Sequence, residues 1–521
     1  MHKLYISDIM KNNNRYGDKI MDNSQKVKKL FSLLDEIEAY ARSIGKLQFD
    51  MECCAPPAGL QQAGEDMAIL GKAYFSRTHA KRYVSLLTEL YNDPSGLSPL
   101  EAAAVRRLYG DYAKTKNISA ALSYKMDLAF NRAYSDWLAA KKAKDFSLFR
   151  DSFAAVIGYT QKAVELRDEK KATVYDTLLD DYEPGGSIRQ LDGFFDALKK
   201  RILPLVRQIQ TEGKAIRTDF LSRPVSVAQQ EAFSRYLLAL EGLDKNKLVL
   251  MTTEHPFTDH YGADDVRVTT HFYENNFISN IFSTLHEGGH ALFMQNEPKA
   301  HYENHVSDRM TNAMHECISR FYENVIGRSE AFVRFITPKL RELSGDTFAD
   351  ITGRELYEAV NAASPGLIRM EADELTYGIH IMIRYKLEKA FVNGEITVDE
   401  IPAAWNAKYK EYLGLDVPDD ESGCLQDVHW TGSYGYFPSY ALGNAYGAQI
   451  LRAMQKEFDV FNAVEKGDLK KIGDWLTEHV FSIASLKDPD EWIKAVTGES
   501  LNVNYYLDYL EEKFKSLYEL R

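Results

Sequence analysis

The stretch Thr284-Leu285-His286-Glu287-Gly288-Gly289-His290-Ala291-Leu292 decides how the rest of the chain is read. Around it Ile278, Ile281, Phe282, Leu285, Leu292 and Phe293 recur at three- and four-residue spacing, the mark of an amphipathic helix. Residues four apart on a helix stand one turn above each other, so His286 and His290 present two imidazoles on one side. That is the bite a tetrahedral zinc takes. Glu287 is turned by about 100° from His286, poorly placed to ligate and well placed to take a proton from a water at the metal. The H-E-x-x-H pattern on a helix is a zinc-hydrolase signature for these reasons. The pattern also arises by chance, and two helical histidines are often plain core or surface residues. Gly288 and Gly289 weigh against that alternative. Each costs about 1 kcal/mol relative to Ala in a helix interior, and both fall within the apolar stripe, which predicts another backbone packed close beside the histidines.

Length and composition set the bounds. The 521 residues exceed the ~250–300 at which one hydrophobic core stops growing, so two lobes are expected. A formal charge of -13 argues against a nucleic-acid or anionic-membrane surface, which would need basic patches. The four cysteines, Cys53, Cys54, Cys317 and Cys424, include no C-x-x-C pair. A disulfide framework and a cysteine-type zinc site are therefore not expected, and a reducing compartment is. Residues 1–23 lack the apolar core of a signal peptide, and no run of about 18 apolar residues occurs elsewhere. The expectation is a cytoplasmic protein.

Residues 1–23 read as a polar, Asn-rich extension, and 24–521 as one two-lobed catalytic domain. Helical periodicity starts at Ser24 and recurs over 60–92, 98–140, 143–172, 188–212 and 226–241. No fixed-period repeat is present, so this array reads as one wall of a groove rather than a solenoid. Strands are predicted at 248–253 and 265–272. In the latter, alternation puts Val266, Val268 and Phe272 on one face and Asp265, Arg267, Thr269 and His271 on the other. A small sheet just before the motif helix would suit an extended peptide added as a strand; a half-buried hairpin is the plainer alternative. The motif helix should end near Asn296, ahead of Pro298. A second helix is expected over 307–325, further helices over 329–343, 346–362, 367–392 and 398–413, and a loop over 416–438.

A catalytic zinc needs a third protein ligand. Phe293 and Asn296 stand where a metzincin would have Gly and His, which excludes that arrangement. A carboxylate on the following helix is the remaining option, with Glu303, Asp308, Glu316 and Glu323 as candidates; Glu297 is too close on the same helix. Periodicity puts Glu316 off the apolar stripe of its helix and reads it as a surface carboxylate paired with Arg320 at i+4. Spacing does not separate Glu316 from Glu323.

Several ordered segments together resemble the carboxypeptidase Taq family of H-E-x-x-H zinc metallocarboxypeptidases. They are Tyr182-Glu183-Pro184-Gly185, His255-Pro256-Phe257, Asp265-Val266-Arg267-Val268-Thr269, the His286–His290 motif, His315-Glu316, Ile368-Arg369-Met370-Glu371-Ala372-Asp373 and Gly423-Cys424-Leu425-Gln426-Asp427-Val428-His429-Trp430. Family members commonly carry Ser and Gln after His-Glu, where this chain has Cys317 and Ile318. The resemblance implies a mainly α, two-lobed long-helix peptidase fold with a deep groove and a small β-sheet beside the motif helix. It implies a homodimer that removes residues one at a time from the C-terminus of peptides, and it makes Glu316 the third ligand of Zn²⁺, with Co²⁺ or Mn²⁺ suited to the same donors. On this reading Glu287 is the general base, while His429, Tyr436 and Tyr440 are candidates for stabilising the oxyanion. Arg369, oriented by Asp373 at i+4, is the first choice for the substrate's α-carboxylate. Arg267 is the second, with Asp265 as its competing partner, and His255 completes the substrate-binding set. The competing functions are a zinc oligopeptidase or endopeptidase with the same centre, and a non-catalytic helical scaffold.

Overall fold

Side-chain caps decide where helices begin. In the computed structural model, which describes residues 21–521, Asp22 accepts from the Gln25 N–H at 2.8 Å and opens helix α1 (Asn23–Cys53). Thr173 does the same for α2 (Val174–Tyr182), and Ser226 forms a capping box with Gln229 at the head of α3 (Val227–Leu240). The predicted extension, 1–23, lies almost wholly outside the described residues. The helix expected at 188–212 is found as Ile188–Glu212. Longer predicted runs are broken: 60–92 becomes Leu60–Thr78 and Lys81–Asn92, and 98–140 becomes Pro99–Thr115 and Ala120–Ala143. At the second break Ser119 accepts from Leu122 N–H at 3.2 Å. A cap is worth about 1 kcal/mol, enough to start a new helix although the apolar period runs on.

The chain divides into two compact units. One comprises the described residues up to Gly110 with Glu303–Val306, and the other Asp111–Tyr302 with Ser307–Arg521. Within the first, His305 Nδ1 meets Glu38 of α1 at 2.8 Å, which ties the distant short segment to the helix. No helix among the described residues is long and apolar enough to cross a membrane. Cys54, Cys317 and Cys424 are free thiols, the last two buried.

The second unit holds the sheet. Strands β1 (Leu248–Thr252), β2 (Thr258–His260) and β3 (Val266–Thr270) run in the order β1-β3-β2. β1 pairs parallel to β3 with Leu248 opposite Val266, and β2 pairs antiparallel with Thr258 opposite Val268. The two predicted strands are therefore present, while β2 was not anticipated; parallel pairing of the two also rules out a simple hairpin. Val266 and Val268 are fully buried as expected. Thr269, assigned to the polar face, is buried too, because its hydroxyl bonds Thr253 and accepts from Phe257 N–H at 2.8 Å.

Helix α4 (Phe277–Asn296) carries the motif and follows β3. Its buried Asn280 accepts from Ser234 of α3 at 3.0 Å and from Thr270 of β3 at 2.9 Å, pinning the helix to both. After a short helical turn, Lys299–Glu303, the helix predicted over 307–325 appears as α5 (Asn312–Arg320); it starts five residues later than predicted and continues as a π-helical turn, Phe321–Ile326. Thr311 caps it, and the residues before it cannot join it: His305 and Asp308 take positive φ, and Glu297 binds the Asp308 N–H. Helices α6 (Glu374–Val392) and α7 (Pro438–Met454) are buried along most of their length; α7 is apolar nearly all round, whereas α6 buries Glu374, Arg384 and Glu388 against polar partners.

Candidate active site

Three donor groups converge where α4 and α5 meet. The ligating atoms of His286, His290 and Glu316 lie within 4.8 Å of one another, the one such group among the described residues. His286 Nε2 stands 3.9 Å from Glu316 Oε2. Close helix approach makes this possible. A Cβ on Gly289 would stand 2.8 Å from the Ser319 Cα and 2.9 Å from the Ile318 carbonyl oxygen of α5. On the far side, a Cβ on Gly443 of α7 would meet Glu316 Cβ at 2.6 Å. Helix α5 is thus clamped between two glycine surfaces. That explains why Glu316, read from periodicity as a surface carboxylate, is only 7% exposed: both sides of α5 face other helices, so its single apolar stripe does not mark its only buried face. The pairing with Arg320 does form, at 3.3 Å. Cys317 and Ile318, the departures from the family pattern, are fully buried.

Gly288 packs differently from its neighbour. A Cβ there would collide with the carboxylate of Glu241, a side chain rather than the backbone expected from the sequence. Glu241 is buried with neither oxygen hydrogen-bonded, and burial pushes its carboxyl well above the usual range, so it is held neutral.

A second carboxylate fixes the first histidine. His286 Nδ1 lies 2.8 Å from Glu323 Oε2, and an ionised carboxylate only accepts, so Nδ1 carries the proton and Nε2 is left for the other donors. Glu316 and Glu323 are seven apart, hence two turns apart on one helix face, with Arg320 between them donating to both, at 3.3 and 3.1 Å. Burial opposes ionisation of Glu323, but Arg320 and then His286 outweigh it and hold its carboxyl down at about 2. Burial also disfavours the His286 cation, yet Glu323 and Glu316 more than compensate and raise its pKa. His290 lacks that help; burial and then the His286 charge drive it well below the ordinary value, as suits a neutral donor.

Glu287 points to the sheet side. The Thr258 hydroxyl of β2 donates to its Oε2 at 2.7 Å, and burial raises the Glu287 carboxyl against the pull of His286. Nothing in the sequence singles out Thr258 beyond its position after His255-Pro256-Phe257. His255 itself is exposed. Arg267 pairs with Asp265 at 2.9 Å and lies over the Tyr261 ring, the competing partnership noted above.

The loop before α7 brings His429 and Tyr436 up to Tyr440 in the first turn of α7. His429 Nε2 is 3.3 Å from the Tyr440 hydroxyl, and the Tyr436 and Tyr440 rings stand 5.3 Å apart. Burial lowers His429 to about 4, helped by Arg369 and Arg384 and opposed by Asp427, so the ring is neutral near pH 7. Burial, then Tyr436 and Glu316, push Tyr440 well above its usual value. Glu388 of α6, missed from the sequence, anchors this loop by accepting from Trp430 Nε1, Tyr175 of α2 and the Gly435 N–H, at 3.0, 2.9 and 3.0 Å. Gly435 has φ +91° and a Cβ there would press on the Leu178 carbonyl, so the anchor point requires glycine.

Arg369 does not pair with Asp373. Its Nε and Nη2 both donate to Asp427, at 2.9 and 2.7 Å, and Asp427 also accepts from Arg384 at 2.7 Å. Asp373 instead caps α6, accepting from Thr376. The i+4 spacing misled because Arg369 sits in a 3-10 turn ahead of the helix. Arg369 is 5% exposed, with its guanidinium 5.2 Å from the Tyr440 ring centroid.

Known proteins resemble this one over nearly its full length. The model for carboxypeptidase Taq (M32) metallopeptidase matches residues 29–514. Carboxypeptidase 1 of Bacillus subtilis is 37% identical over 495 residues, covering 95% of this chain and 99% of the relative. Thermostable carboxypeptidase 1 of Thermus thermophilus is 35% identical over 493 residues, covering 92% of this chain and 96% of the relative. The crystal structure of the M32 carboxypeptidase from Deinococcus radiodurans has a TM-score of 0.91 at 30% identity, covering 95% of this chain and 100% of that one. With the mainly helical fold, the small sheet and the converging metal donors, these likenesses assign the chain to the carboxypeptidase Taq (M32) family of metallopeptidases.

Proposed function

We propose that the chain hydrolyses the C-terminal bond of peptides with Zn²⁺ held by His286, His290 and Glu316 and with Glu287 as general base. The observation that carries this reading is the convergence of those three donors beside a buried carboxylate aimed by Thr258. The donors fit the ion: two imidazoles and one carboxylate make a His₂Glu set, and Glu323 on His286 is the outer partner that such a ligand normally has. Co²⁺ or Mn²⁺ suits the same set. When bound, the ion supplies Lewis-acid polarisation of the scissile carbonyl and acidifies water. Glu287 takes the proton of the attacking water and passes it to the leaving amine. Tyr436 and Tyr440, kept un-ionised, offer O–H donors to the oxygen on which charge develops, and neutral His429 offers an N–H. Arg369 supplies positive charge for the substrate's carboxylate, with Arg267 and His255 on the sheet side of the substrate. Family resemblance supports a homodimer, and the free thiols of Cys54, Cys317 and Cys424 support a reducing compartment such as the cytoplasm.

Mass spectrometry of a digested peptide tests the exopeptidase reading. Stepwise loss from the C-terminus, blocked by C-terminal amidation, is the expected result; internal cuts would instead favour an endopeptidase. Glu287→Gln should retain the metal and lose about 10²–10⁴-fold in kcat. An active Gln variant refutes the assigned role.

A further inference from the structure

Tyr377, on α6, stands between the two arginines of the site. Its hydroxyl oxygen accepts from Arg320 Nη2 at 2.8 Å and from Arg369 Nη1 at 3.2 Å. A phenol oxygen has two lone pairs and one proton. Both lone pairs are therefore taken by guanidinium donors, and the only capacity left is to donate. Among the described residues no acceptor is bonded to that proton, and Tyr377 is 6% exposed. A buried donor without a partner costs free energy unless something fills it.

The surroundings say what would fill it. The Arg320 guanidinium lies 4.3 Å from the Tyr377 ring centroid, and the Tyr440 ring meets Tyr377 edge-on at 6.5 Å. Arg320 also binds Glu316, so the hydroxyl is one residue removed from the metal donors. Two cationic donors on the oxygen polarise the O–H and strengthen it as a donor. Asp427 is a single carboxylate shared between Arg369 and Arg384, so this end of the network keeps an excess of positive charge. Arg369 spends three of its five N–H groups on Asp427 and Tyr377. The missing partner is thus an anion with a hydrogen-bond acceptor, which a peptide's terminal carboxylate provides.

We infer that the Tyr377 hydroxyl donates to the C-terminal carboxylate of the peptide substrate, with Arg369 beside it; this rests on the carboxypeptidase reading above. Tyr377→Phe tests it, because the ring and its contact with Arg320 are kept while the donor is lost. The variant should keep its metal content and melting temperature. KM for a peptide with a free C-terminus should rise about tenfold to a hundredfold, with kcat changed less than about threefold. Inhibition by a free amino acid product should weaken in parallel, while inhibition by its amide stays the same. Unchanged KM and unchanged product inhibition overturn the assignment. So does loss of metal or of kcat alone, which would mean that the hydroxyl only positions Arg320. Wild-type protein that releases no C-terminal residue overturns the carboxypeptidase reading and this one together; an active wild type with an indifferent variant overturns only Tyr377.

Discussion

Glu323 shows how much one buried carboxylate decides. It fixes the tautomer of His286, shares Arg320 with Glu316, and stays ionised although buried because the cation is 3.1 Å away. Replacing it with Gln removes the charge that orients the imidazole while keeping the shape. Glu323→Gln should therefore weaken metal affinity by about 10- to 100-fold, read by competition with a chelating dye, without releasing the metal outright. Unchanged affinity would mean that packing alone orients His286. The sequence left Glu316 and Glu323 level because a spacing of seven puts both on one helix face. Which of them faces the imidazole's Nε2 depends on how α5 is rotated against α4, which spacing along one helix does not contain.

The neighbouring glycines of α4 separate two kinds of contact. Ala is the better helix former by about 1 kcal/mol, so either substitution would stabilise an isolated helix. At Gly289 the added methyl meets the Ser319 Cα and Ile318 carbonyl of α5, and backbone does not yield locally. Gly289→Ala should push α5 away, costing both stability and metal affinity. At Gly288 the methyl meets only the end of the Glu241 side chain. Gly288→Ala should be the milder change, and Glu241→Ala in the same chain should relieve it. Thermal melts with metal titrations of both variants check the order; a harmless Gly289→Ala would refute the idea that helix proximity sets the ligand triangle. The glycine pair was legible in the sequence as a sign of close packing. That one partner is a neutral carboxyl was not, because Glu241 follows α3 and comes near only through the tertiary fold.

Two buried carboxyls tie the whole second unit to pH. Burial raises Glu183 to about 7 despite its bonds from Tyr446 and Thr311, and raises Glu388 likewise despite its three donors. A carboxyl that binds its proton more tightly folded than unfolded stabilises the fold below the unfolded pKa, about 4.3. That contribution is lost as pH rises through about 7. At about 1.36 kcal/mol per pH unit, each group removes on the order of 3 kcal/mol between pH 4 and pH 8. Glu388→Gln should flatten this part of the profile, so wild-type stability should fall relative to the variant's by about that amount between pH 4 and pH 8. Urea melts across that range test it, and parallel curves would rule Glu388 out as the source. Metal binds only the folded site, so chelation should lower the melting temperature. At a hundredfold excess of metal over Kd the linked stabilisation is about 2.7 kcal/mol, and a chelator-insensitive melt would contradict a folded-state metal site.

Periodicity and motif spacing sufficed for the mainly helical class, the motif helix and its end near Asn296, two of the three strands, and the pairing of two imidazoles. These depend on residues within a turn or two of each other, where local geometry is fixed by the backbone. Long-range partners were decided only in the folded molecule: Thr258 on Glu287, Glu388 under the aromatic loop, Asp427 rather than Asp373 on Arg369, and Tyr377 between two arginines. Each joins side chains brought together by helix crossings, and those crossings are set by where glycines let backbones touch and where buried charge must find a counter-charge.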